Sequence, residues 1–84
     1  MMGRRVLFVC YALNLLVPQE RLLLSKGYEV VTVLGTDGLI AHTCAGDYGA
    51  VVLGEGASSD QLAQAVSWLQ ENFPAVEIAS IDTY

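Results

Sequence analysis

Cys10, Tyr11 and the turn Gly54–Ser59 are the groups whose types and spacing invite chemistry. Cys10 closes the apolar run Val6-Leu7-Phe8-Val9. A thiol there is a nucleophile or a redox sensor only where a neighbouring cation or helix terminus favours the thiolate. The stretch behind it is apolar and offers no such cation, so a small buried hydrophobe is the plainer reading. Gly54-x-Gly56-x-x-Ser59, after a strand and before a helix, is a broken form of the dinucleotide fingerprint, in which backbone N–H groups at a helix start cradle an anion. Gly54, Gly56, Ser58 and Ser59 would form that cradle. Glu55 and Asp60 flank it and repel phosphate, which favours a flexible turn with a good helix cap. His42 has no ligand partner one turn away and suits a surface or capping role. Cys10 and Cys44 show no metal-ligand spacing. The Cys44 helix runs back against the strands, so the two thiols fall at opposite ends of the sheet, too far apart for a bridge.

The totals narrow the field. The chain has 84 residues, 54% of them hydrophobic and 15% charged, which argues for one folded domain, residues 4–84, and against disorder. A body this small buries roughly 60% of its unfolded surface, so part of the apolar load is expected to be covered by another chain. The formal net charge is −5, with only Arg4, Arg5, Arg21 and Lys26 basic, which disfavours nucleic acid and acidic membranes as partners. Two cysteines make no disulfide framework, and a reduced, cytoplasmic setting is the default. Met1–Arg5 followed by Val6–Val17 has the order of a secretory signal, but Asn14 interrupts the run and no small-x-small cleavage site follows. No segment is apolar enough for long enough to span a bilayer.

The elements that must position these groups alternate in type. Val6–Val9, Val30–Leu34 and Ala50–Leu53 are buried strands, and Val76–Ile81 is a weaker fourth. The first helix starts near Leu16 or Val17, with Pro18 in its first turn and Gly27 ending it; Leu16, Leu23 and the neighbouring leucines face inward, and Gln19, Glu20 and Arg21 outward. Thr36 caps a short helix from Asp37 to about Ala45, stopped by Gly46. Ser58 and Gln61 form a capping box before a helix with Leu62, Val66, Leu69 and Phe73 on one stripe, closed by Pro74. The order β-α-β-α-β-α-β with short connections predicts a parallel doubly wound α/β sheet, whose functional edge lies outside the carboxyl ends of its strands.

Val6–Val9, Arg21–Val30 with its Gly27-Tyr28-Glu29-Val30 stretch, Asp37-Gly38, Asp47–Leu53 and Trp68–Pro74 together resemble the receiver domain of two-component response regulators, over nearly the whole chain in one register. The resemblance implies a flavodoxin-like fold of about four strands in order 2-1-3-4 with three helices. It also implies a site of carboxylates, two after the first strand and one after the third, that gather Mg²⁺ and accept a phosphoryl group. Here Cys10 and Tyr11 stand at the first-strand positions and Gly54 at the phosphoacceptor. The family's switch hydroxyl falls at Asp82 or Thr83. The family's last strand, its lysine and its last helices have no counterpart before Tyr84. Val6–Cys10 with Pro18 also resembles the active-site loop of low-molecular-weight protein tyrosine phosphatases, without its arginine.

The expectation is therefore a degenerate, C-terminally shortened pseudo-receiver. It would be non-phosphorylatable, not an enzyme, with no cofactor and no metal, serving phosphorelay-type signalling by binding. Its partner would be a protein or a second copy, held through the exposed fourth strand and an under-covered sheet face, with Trp68, Val76, Ile78 and Ile81 as interface residues. The alternatives are a small anion- or nucleotide-binding domain using Gly54–Ser59 and a thiol sensor at Cys10.

Overall fold

The computed structural model describes residues 5–42 and 48–81. Strand β1 (Arg5–Cys10) leads through a short 3₁₀ turn (Leu13–Leu15) into α1 (Leu16–Ser25). There follow β2 (Glu29–Leu34), α2 (Gly35–Ala41), β3 (Ala50–Leu53), α3 (Ser59–Asn72) and β4 (Glu77–Ser80). The four strands form one sheet in the order β2-β1-β3-β4, every pair parallel. This is the flavodoxin-like α/β arrangement, and it places β2 and β4 at the two edges.

Period-two alternation divides the buried side chains between two cores. On one face Leu7, Val9, Val51 and Leu53 pack with Leu39 of α2 and with Ala65 and Leu69 of α3. On the other, Val6, Phe8, Cys10, Ala50 and Val52 pack with Leu23 of α1 and with Ile81. Both faces of β1 and β3 are therefore dry, which is why these strands are continuous apolar runs. Ala50 and Val52 are 1% and 0% exposed, so the α1 face of β3 is covered within this chain, Leu23 and Ile81 among the side chains that cover it.

Several local expectations are corrected. Gln19 does not face outward: it is buried, 7% exposed, at the side of α1 that meets β3. Leu22 and Leu24 do not face inward, since consecutive helical residues are about 100° apart and only Leu23 of the three can meet the sheet. Thr36 is not a helix cap. Helix α2 begins at Gly35 with Leu34 at its N-cap, and the Thr36 side chain is drawn into the interior. That helix ends at Ala41, and the proposed stop at Gly46 lies outside the described residues. On α3 the buried stripe is centred on Ala65 and Leu69, while Leu62 is 37% exposed. Strand β4 is shorter than expected, and Ile81 leaves it in a helical turn.

Other expectations hold. Gly27 takes the left-handed conformation (φ 88°) two residues past the end of α1, just after the Lys26 C-cap. The capping box of α3 is complete: Gln61 N–H donates to Ser58 Oγ at 3.1 Å, and Ser58 N–H donates to Gln61 Oε1 at 2.8 Å.

Candidate functional site

The carboxyl edge brings together the end of β1, the start of α2 and the turn between β3 and α3. Gly54 is joined to β1 by its N–H, which donates to the Val9 carbonyl at 2.9 Å. Gly56 sits over the loop after β1: a Cβ there would lie 3.1 Å from that of Ala12. Cys10, Tyr11, Gly54 and Gly56 are therefore neighbours, as the topology predicts. Asp82 and Thr83 lie outside the described residues, as does Cys44.

Each of the three positions after β1 and β3 is occupied by structure. Cys10 is 3% exposed and its thiol donates to the Ala12 carbonyl at 3.2 Å. Tyr11 is half-buried, and its hydroxyl meets Thr36 Oγ1 at 2.8 Å. The single Thr36 proton goes to the Gln61 carbonyl at 3.2 Å, so the Tyr11 hydroxyl donates to Thr36. This chain ties β1, α2 and the first turn of α3 together. Burial raises the Tyr11 pKa above its ordinary value, opposed in part by the Thr36 hydrogen bond, so the phenol is neutral at pH 7.

Gly54 is the tightest point. A Cβ added there would meet the Val9 carbonyl oxygen at 2.9 Å, Gln19 Oε1 at 3.0 Å and the Phe8 ring at 3.0 Å. Its φ is not in the left-handed region, so glycine is required by space and not by backbone conformation. Gln19 Oε1 is buried without a hydrogen-bond partner, an acceptor pressed against the glycine. Sequence reasoning missed Gln19 because a polar residue on an amphipathic helix is ordinarily assigned to the solvent side.

On the solvent side of the same turn is an open cleft of about 270 Å³, lined in part by Gly54, Gly56, Ala57, Leu62 and Ile81. It is a poor fit to the anion reading. The capping box takes the Ser58 and Gln61 N–H groups that a phosphate would need, and Glu55 and Asp60 are exposed beside it. Among the described residues no group of three His, Cys, Asp or Glu side chains is placed to hold a metal ion.

The remaining candidates lie elsewhere. Trp68 is half-buried and meets Phe73 edge-to-face, ring centroids 5.6 Å apart, so it packs against its own helix end. Val76 and Ile78 are partly buried against the α3-side core. Ile81 is 4% exposed and already covered by this chain, which removes it from a docking surface. His42 is the C-cap of α2, as the capping role expects, its backbone N–H donating to the Gly38 and Leu39 carbonyls at 3.2 and 3.1 Å, and its side chain is engaged as well. Its Nε2 lies 3.0 Å from the Tyr48 hydroxyl; the Arg5 guanidinium stands 4.9 Å above the Tyr48 ring and pairs with Glu29 at 2.8 Å. The Arg5–Glu29 part follows from register, since these residues are opposite in the β1–β2 pair. The cluster ties the amino edge of the sheet, far from Gly54.

Exposed apolar surface is concentrated on the first helical segment. Leu13, Val17, Leu22 and Leu24 are exposed there, and Leu34 ends β2 nearby at the carboxyl edge. Among the described residues no helix is long and apolar enough to cross a membrane. Compared with known proteins, the chain matches no family model and no curated protein significantly.

Proposed function

We propose that this chain is a receiver-like protein-binding module that performs no phosphoryl chemistry of its own. The observation that carries the proposal is Gly54. At the place where a receiver presents its phosphoacceptor, the space for a side chain is filled by a backbone carbonyl, a glutamine oxygen and an aromatic ring. Mg²⁺ demands several hard oxygen ligands, usually carboxylates. The neighbouring positions supply a buried thiol and a neutral phenol, each already hydrogen-bonded within the chain. The signalling part of the proposal rests on the sequence resemblance, supported by the 2-1-3-4 parallel sheet that a receiver also uses. Binding is supported by the apolar surface of the first helical segment, which a small acidic domain exposes at a cost in solubility. The test is incubation with acetyl phosphate, or with a beryllium fluoride mimic, in the presence of Mg²⁺. Unchanged intact mass and unchanged thermal stability are expected. A covalent phosphate, or a Mg²⁺-dependent rise in melting temperature, overturns the proposal.

A further inference from the structure

We infer that the flank of α1 that carries Val17 and Leu24 is a self-association surface, whose occupant is the same flank of a second copy packed parallel across a two-fold axis. The inference rests on the protein-binding reading above and names the partner.

Val17 and Leu24 are 54% and 50% exposed and stand seven residues apart, two helical turns, so they form one line along α1. Glu20 and Arg21 lie between them in height and on opposite sides of that line, each about 50° from it at 100° per residue. Leu13, 72% exposed in the preceding 3₁₀ turn, and Leu34, 55% exposed on the α1 side of β2, add apolar surface at the same end of the helix. Thr32 donates to Glu20 Oε2 at 2.6 Å, which holds the carboxylate on the β2 side while leaving it further acceptor positions.

Charge placement selects both partner and orientation. In a parallel pair related by an axis along the helices, Val17 meets Val17 and Leu24 meets Leu24. Glu20 of each copy then faces Arg21 of the other, once on each side of the seam. In an antiparallel pair the two-fold brings Glu20 beside Glu20 and Arg21 beside Arg21, which is repulsive. The surface is thus complementary to itself in one orientation, the requirement of an isologous interface. Helix α1 has 10 residues and is about 15 Å long, so the contact is small and a micromolar dissociation constant is expected.

Sedimentation equilibrium at high micromolar concentration tests this. The wild-type chain is expected to dimerise, and Val17→Glu or Leu24→Glu to weaken the dimer at least about tenfold with unchanged circular dichroism. Arg21→Glu alone and Glu20→Arg alone are each expected to be monomeric, because each sets like charges face to face. Mixed in equal amounts, these two folded variants restore a heterodimer through Glu–Arg contacts on both sides. A monomeric wild type overturns the inference, and so does a mixture that stays monomeric. A dimer that survives all four substitutions places the contact elsewhere, overturning this surface while leaving the protein-binding proposal standing. A covalent phosphate in the preceding test does the reverse.

Discussion

Replacing Gly54 by alanine measures how tightly packing constrains this position at the end of β3. Ordinarily the change is favourable where φ permits it, by about 0.4–1 kcal/mol, because alanine restricts the unfolded chain. Gly54 has no positive φ, so that gain applies in full. Against it stands the new methyl group, at 2.9 Å from the Val9 carbonyl oxygen and 3.0 Å from both Gln19 Oε1 and the Phe8 ring. Val9 is central-strand backbone and Phe8 is 0% exposed, so neither moves without disturbing one of the two cores. Overpacking of this kind costs about 1–3 kcal/mol. The net expectation is a loss of roughly 1–2 kcal/mol, which for a domain of this size lowers the melting temperature by roughly 4–16 °C. The assay is thermal and urea denaturation followed by circular dichroism. Combining Gly54→Ala with Gln19→Ala removes one of the three obstacles, and a favourable coupling of about 0.5–1 kcal/mol is expected. A Gly54→Ala protein as stable as wild type, or more so, refutes the packing account of this position.

Three further outcomes follow from the same edge. Gln19→Met replaces a buried acceptor without a partner by an apolar group of similar shape, and stability is expected to rise by about 1 kcal/mol; a lower urea midpoint contradicts it. Thr36→Val removes the acceptor of the Tyr11 hydroxyl and the donor to the Gln61 carbonyl, and a loss of about 1–3 kcal/mol is expected in the same assay. Ultraviolet titration should place Tyr11 ionisation above the ordinary tyrosine value near 10. Because the folded pKa is raised, the associated stability is complete below the unfolded pKa and is lost as pH rises through the folded value. Melting temperatures measured upward from about pH 10 should fall, and should fall less in Tyr11→Phe.

The sheet was legible because its signals are local. β-branched runs give the strands, Gly27 ends α1, and the Ser58–Gln61 box starts α3. What sequence alone left hidden depends on partners distant in the chain. Thr36 reads as a cap, yet Tyr11 and Gln61, each 25 residues away, claim its hydroxyl. Gln19 reads as a solvent residue, yet the missing side chain at Gly54 leaves room for it inside. The absence of carboxylates at Cys10, Tyr11 and Gly54 was plain from residue identity. That their places are filled, and by which atoms, required the packing of α1 against β1 and β3.

Those fillings bear on why the apolar surplus lies where it does. A phosphoryl switch needs a carboxyl edge that stays polar, hydrated and able to rearrange. Here Cys10, Tyr11 and Gly54 are each bonded or packed within the chain, and the Tyr11–Thr36–Gln61 bridge fastens β1 to both helices of the opposite face. An edge so fastened has little left to exchange with a ligand, since binding there would break internal bonds before making new ones. Helix α1 differs: it spends Leu23 and Gln19 on the core and keeps Val17 and Leu24 outside, with Glu20 and Arg21 on either side of them. Apolar groups beside opposite charges cost least to desolvate when a partner supplies the matching charges. In this molecule the sequence that supplies them is α1 itself.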